Sequence, residues 1–362
     1  MTLERITCTG VCIVIASVGA AGQQRTEGTA PQLGTSITER INAAKDIKPW
    51  RVVQTRTEAN GRERVVETLE TPNLDGRMAP IQEIVTDTQR SSPTTTLTGR
   101  EVFGFAGDGR RALLETTASQ QDRQPNGEAV AVRTTSVPDV NGRVALASQQ
   151  IERTRPVGSD GRETSTTVLV PHDNVALREI ERTDSAERRT SPTVVRYDST
   201  HQLRDINGRW QPAETRAGEV RDISPSEQVE DETVQRADLN GKLTVTERIV
   251  TRRSMTNGRE DVLIETYAPN ADGRFRGSDL ALSQRVHRTT ATAADGGSSL
   301  TEEVEGRSLV SPAEPLRVVR RTESTTRPSG TNSLVTERRV FERDPNGRLQ
   351  LVATETEQRP KN

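Results

Sequence analysis

Asp205-Ile206-Asn207-Gly208-Arg209-Trp210 is followed 33 residues later by Asp238-Leu239-Asn240-Gly241-Lys242-Leu243. Asn-Gly and Asp-Gly favour tight turns because both residues tolerate a positive φ. The same turn stands at Asp75-Gly76-Arg77, Asp108-Gly109-Arg110 and Asn141-Gly142-Arg143, 33 residues apart or at a multiple of it. Asp272-Gly273-Arg274 comes one residue short of register, and the missing member of the series falls on Asn174. A fixed period of this kind marks one supersecondary unit used many times over.

A second turn series interleaves with the first. It runs through Asn60-Gly61, Ser92-Pro93, Asn126-Gly127, Asp160-Gly161, Ser191-Pro192, Ser224-Pro225 and Asn257-Gly258, 31 to 34 residues apart. Ser-Pro reaches a turn by another route, since proline fixes φ and removes a donor. The stretches between turns are rich in Thr, Val, Arg and Glu, as at 62–71 and 242–252. They lack a 3.6-residue apolar stripe and favour strands of period 2. Residues 60–77 and 257–274 share Asn, Gly, Arg, Glu, Val, Pro and Asp at identical offsets. After residue 274 the register slips by several residues. The expected fold is all-β: 33-residue units of two antiparallel strands forming a long up-and-down meander of about nineteen strands between Trp50 and Arg359, open and strongly twisted or curled on itself.

The N-terminal residues read as an export signal over 1–22: Arg5, an apolar stretch, then Ala20, Ala21 and Gly22 before Gln23. The stretch is too short and interrupted for a transmembrane helix. Both cysteines, Cys8 and Cys12, lie inside it, so the mature chain holds none. Residues 23–49 read as a linker and a short helix. Ser36 and Glu39 have capping-box spacing, and Ile37, Ile41, Ala44 and Ile47 follow at helical intervals over about 36–46. The β domain then spans 50–360.

Hydrophobic residues make up 31% of the chain and aromatic residues 2%, too little for a large globular core. Charged residues reach 28% with a net charge of -2, which argues against a nucleic-acid partner. Low hydrophobicity raises the prospect of disorder, but a disordered chain has no reason to keep its turns in register.

Counted from the Asn or Asp of the first turn series, the third residue on is Met78, Arg111, Val144, Leu177, Trp210, Leu243 and Phe275. The fifth includes Pro80, Leu113, Leu146, Pro212 and Val245, and the seventh is Gln82, Glu115, Ser148, Glu181, Glu214, Glu247 and Asp279. With an uninterrupted period of 2, all three positions share one face. That face is then apolar near the turn and acidic in the middle.

His172, His201 and His287 occupy unrelated phases, so nothing suggests a converging Ser/His/Asp site. The Asx-x-Asx-Gly turns, such as Asp139-Val140-Asn141-Gly142, share alternating oxygens and a glycine with calcium loops. A third alternating ligand is missing and a cation follows, so an Asx side chain bonding its own turn explains the pattern without metal. No cofactor motif, phosphate loop or nucleophile elbow occurs. Charges on both faces of most strands speak against a lipid-facing barrel.

Arg77, Arg110, Arg143, Arg209, Lys242 and Arg274 follow the turn glycine and line one edge. This row could meet a polyanion such as an acidic polysaccharide. The plainer reading pairs these cations with glutamates on neighbouring strands.

The unit Asp205-Ile206-Asn207-Gly208-Arg209-Trp210-Gln211-Pro212-Ala213-Glu214, echoed from Asp238 to Glu247, resembles repeats in exported bacterial proteins of no assigned function. Gly347-Arg348-Leu349 also looks like the Tyr-Asp repeats of large surface and toxin-delivery proteins, a likeness of turn chemistry. The resulting expectation is an exported, periplasmic or extracellular protein without catalysis. Its role would be structural or adhesive, through self-association or envelope polysaccharide, with acidic-glycan binding through the arginine edge as the alternative.

Overall fold

The computed structural model describes residues 32–42, 50–172, 176–269, 280–293, 296–307, 314–330, 333–344 and 346–360. These residues form strands and turns, with no helix among them. The signal segment, Phe275, Arg274 and Asp279 lie outside the described residues.

The first strands are β1 (Gln32–Asn42), β2 (Trp50–Ala59), β3 (Arg62–Pro72), β4 (Met78–Arg90), β5 (Thr95–Phe105), β6 (Arg111–Arg123) and β7 (Ala129–Pro138). Then come β8 (Val144–Val157), β9 (Gly161–His172), β10 (Ala176–Ser191), β11 (Val194–Arg204), β12 (Trp210–Ser224), β13 (Glu227–Ala237) and β14 (Leu243–Thr256). The last are β15 (Arg259–Pro269), β16 (Leu280–Thr292), β17 (Ser298–Gly306), β18 (Arg317–Ser329), β19 (Ser333–Arg343) and β20 (Leu349–Pro360). Strands β2 to β20 form the antiparallel meander and number the nineteen expected from the turn spacing.

The meander is closed, not open. β1 pairs with β2 and also with β20, so Ile37 stands opposite Val53 on one side and Gln358 on the other. The expected helix over 36–46 is therefore corrected over its described part, 36–42, which is strand. A capping box supplies at most a local preference. Pairing on both sides satisfies the backbone of β1 and of two strand edges at once, and this tertiary gain overrides it.

Each first-series hairpin also carries one β-bulge at the same height. The pairing Leu69 with Gln82 and Glu70 with Pro80 leaves Ile81 as the extra residue. Leu114, Ala147, Ile180, Ala213 and Thr246 take the same role in the following hairpins. A bulge increases local twist and bends the strand, and a ring of them curves a sheet toward closure. It also flips the pattern of faces. Pro212 pairs with Gln202 but Glu214 pairs with His201, so the fifth and seventh positions fall on opposite faces. The expectation of one face carrying both apolar and acidic positions is corrected on this ground. The apolar positions (Val144 and Leu146, Trp210 and Pro212, Leu243 and Val245) share one face, and Glu115, Glu181, Glu214 and Glu247 stand on the other.

Twenty strands at about 4.8 Å spacing give a ring close to 30 Å across, widened by strand tilt. Packing contacts join neighbouring strands around the ring, and no described element crosses the middle. The buried residues Val85, Val102, Val220, Val234, Val250, Val262, Val340 and Ala353 lie within the wall. Val234 and Val250 belong to opposite faces of it, so burial comes from strand neighbours and not from a filled centre.

Candidate functional site

The up-and-down order sends all first-series turns to one rim and all second-series turns to the other. Asn207, Gly208, Asn240 and Gly241 share a rim, and Pro192 and Pro225 lie on the opposite one. The second-series Asn60-Gly61 and Asn257-Gly258 are two-residue turns with positive φ at both residues, 52° and 71° in the first and 50° and 77° in the second. The first-series turns are one residue longer. In Asp205–Arg209, the Gly208 N–H donates to the Asp205 carbonyl at 2.9 Å, and the Asp205 N–H donates to the Arg209 carbonyl at 2.9 Å. Gly208 takes a φ of 80°, the left-handed residue that ends such a loop.

The first Asx of each turn is occupied within the turn. Asp139 Oδ1 accepts from the Asn141 N–H at 2.8 Å and the Arg143 N–H at 2.9 Å. Asp205 and Asp238 do the same with Asn207 and Arg209, and with Asn240 and Lys242. This is the Asx-turn chemistry that the Asx-x-Asx-Gly pattern implied. Among the described residues no group of three or more His, Cys, Asp or Glu is arranged to hold a metal.

Arg77, Arg110, Arg143, Arg209 and Lys242 are all exposed on this one rim. Arg110 pairs with Asp108 of its own turn at 2.6 Å. Arg77, Arg143, Arg209 and Lys242 make no ion pair with the described residues, so glutamates of neighbouring strands do not neutralise the row. The residue preceding each cluster was not singled out from sequence. Leu74, Val140, Ile206 and Leu239, at the first corner of their turns, are 96% exposed or more. A large aliphatic residue between two Asx residues is the signal that marks them.

The walls carry charge on both faces. On the face of Trp210, Glu265 accepts from Arg252 at 2.7 Å and from Arg285 at 3.0 Å, and Arg248 meets Asp231 at 2.6 Å. On the face of Glu214, Arg216 and Arg236 hold that carboxylate at 2.6 and 2.9 Å, and Arg288 meets Glu302 at 2.7 Å. The hydrogen bond from Arg252 and the Arg285 guanidinium hold Glu265 below the ordinary carboxylate range. Burial pushes Glu214 up, but its bonds from Arg216 and Arg236 outweigh it and the carboxyl ends low. Burial dominates at Glu67 and Glu232 and raises both. The histidines do not converge: His201 Nε2 lies 3.1 Å from Glu181, and His287 Nε2 lies 3.8 Å from Asp261, on well-separated strands.

No protein-family model and no curated protein matches the chain. Among solved structures it is similar to the siderophore receptor PirA from Pseudomonas aeruginosa, at 9% identity and a TM-score of 0.48, covering 92% of this chain and 81% of that one. It is also similar to OccK5 (OpdH) from the same organism, at 9% identity, a TM-score of 0.47 and coverage of 91% and 98%. A third is the alcaligin outer-membrane receptor FauA from Bordetella pertussis, at 9% identity, a TM-score of 0.46 and coverage of 93% and 76%. The expected structural or adhesive role is corrected at this point. The geometry gives the physical reason. A sheet closed by β1 presents no free strand edge for lateral self-association.

Proposed function

We propose that this chain is an exported cell-envelope β-barrel whose water-filled lumen admits polar solutes, with no catalytic step. The observation that carries the reading is the pairing of β1 with both β2 and β20. Closure creates an inside, and ion pairs on both faces make that inside polar whichever face lines it. Polar walls about 30 Å apart hold water, since barrels of somewhat fewer strands already enclose an aqueous channel. The same ion pairs leave the outer wall without the apolar band that hydrocarbon contact demands, so the barrel stands in water along its flank.

Gln149 and Gln150 are adjacent on β8 and belong to opposite faces. Each is replaced by Cys in a chain whose Cys8 and Cys12 are Ser. One thiol is expected to react with a small maleimide but to resist a maleimide carried on a polymer wider than the lumen; the other reacts with both. Equal reaction of both thiols with the polymer reagent overturns the enclosed lumen. So does a thiol that resists even the small reagent, because the lumen would then be filled.

A further inference from the structure

Seven Asn-Gly pairs stand in turns, and the backbone treats them in two ways. Gly127, Gly142, Gly208, Gly241 and Gly347 each donate their N–H to the carbonyl three residues back, at 2.9 to 3.0 Å. In the turn at 124–128 the asparagine is held as well, since Asn126 Oδ1 accepts from the Glu128 N–H at 3.0 Å. Asn60-Gly61 and Asn257-Gly258 differ. Their two-residue turns put both residues at positive φ, and the N–H of Gly61 and of Gly258 donates to no described residue. All four of these residues are exposed. The rim does not make the difference, because Asn126-Gly127 lies at the same rim as Asn60-Gly61 and Asn257-Gly258.

An asparagine followed by glycine carries its own electrophile and nucleophile. The glycine nitrogen, with no Cβ beside it to shield the approach, attacks the asparagine Cγ. The N–Cγ bond forms, the Cγ–Nδ2 bond breaks, and Nδ2 leaves as ammonia with the glycine's amide proton. Water then opens the resulting succinimide at either carbonyl, leaving aspartate or iso-aspartate. No oxidant or reductant takes part. The nitrogen must be free for this step. An N–H bonded to a carbonyl must first give up that bond, whose net worth corresponds to roughly a fivefold change in an equilibrium. We propose that Asn60 and Asn257 are self-modifying positions, converting through a succinimide while the asparagines of the other five pairs are spared. The marks fall on one rim, at the β2–β3 and β14–β15 hairpins. Each adds a carboxylate there, and iso-aspartate also lengthens the main chain of a two-residue turn. The chemistry is independent of whether the lumen admits solutes.

The test holds the full chain in mildly alkaline buffer, samples it over time and maps each pair by digestion and mass spectrometry. Amide-to-acid conversion is read from the mass gain, and iso-aspartate from enzymatic methylation. A parallel sample is kept in denaturant, where all seven pairs are free and should convert at similar rates. In the folded chain Asn60 and Asn257 are expected to convert at least ~fivefold faster than Asn126, Asn141, Asn207 and Asn240. A double variant, Asn60→Gly with Asn257→Gly, keeps the positive φ of both turns and should lose most of the ammonia that the folded chain releases. Equal rates at all pairs in the folded chain overturn the proposal, as does undiminished ammonia release by the double variant. So does a folded chain whose Asn60 and Asn257 stay intact while the denatured chain converts.

Discussion

Tyr197 Oη donates to Glu230 Oε1 at 2.8 Å, spanning the intervening strand β12 over Gly218. The two residues are 33 positions apart, one full hairpin. The ring lies where Gly218 would carry a side chain: a Cβ there would overlap Tyr197 Cζ. Gly218→Ala is therefore expected to cost roughly 1–3 kcal/mol in a denaturant titration, the usual penalty for overpacking. In a Tyr197→Ala background the same substitution should be close to neutral. An equal cost in both backgrounds would mean that the ring is not the obstacle. Tyr197→Phe keeps the ring, loses the hydroxyl donor and should cost about 1 kcal/mol.

Acidification should unfold the barrel. Hydrogen bonds from arginines hold Glu265, Asp231 and Asp261 below their ordinary values, and Glu214 ends low against the effect of burial. A carboxyl depressed in the folded state stabilises it above the unfolded pKa, and that stability is lost as pH falls through the folded value. Glu67 and Glu232 work the other way. Burial raises them, so their charged forms cost stability at neutral pH and protonation relieves the cost. The lowered groups are the more numerous, so thermal midpoints should fall steadily below about pH 4. Glu265→Gln should flatten that fall. A midpoint that rises on acidification would show that the buried Glu67 and Glu232 dominate.

The strands were legible because the turns are written into the residues: positive φ at Asn60, Gly61, Gly208 and Gly241 is where Asn-Gly stands in the sequence. Bulges leave no comparable mark. Ile81, Leu114 and Ala213 differ from their neighbours in nothing that a period of 2 detects, yet each moves the seventh position (Gln82, Glu115, Glu214) to the other face. Closure was illegible for a related reason. Ser36 and Glu39 state a local helical preference, and only the two open edges of β2 and β20 turn that segment into a strand. At the rim, the cations stood out by their recurrence after the turn glycine. The aliphatic tips did not, because one apolar residue inside a polar turn looks incidental until four of them share a rim.

Gly208→Val should destabilise the chain while a change at the neighbouring tip does not. Gly208 has a φ of 80°, a conformation that a β-branched residue takes only under strain. A cost of about 1–3 kcal/mol follows from holding a residue in that region. Ile206→Ser, two positions earlier, removes a side chain in water and should shift the denaturation midpoint very little. Equal effects at both positions would show that the turn is held by packing at its tip and not by its backbone conformation.

The closing strand should behave as a separable clasp. Packing runs between neighbouring strands and in places one strand beyond, as from β12 to β14, and not across the ring, so stability is close to a sum of local terms even though the sheet is closed. Deleting residues 32–42 should expose the edges of β2 and β20, raising amide exchange at positions facing β1 such as Val53 and Gln358. Strands β10 to β13, on the far side of the ring, should keep their protection. The two new edges should also promote association between chains, visible by sizing, because unpaired N–H and C=O rows template further pairing. Trp210→Ala probes the same principle from within the wall. It should loosen β11 to β13 and leave the strands near residues 60 and 346 protected. Loss of protection all around the ring on either change would mean that the barrel folds as one cooperative unit, and the nearest-neighbour account of its stability would be wrong.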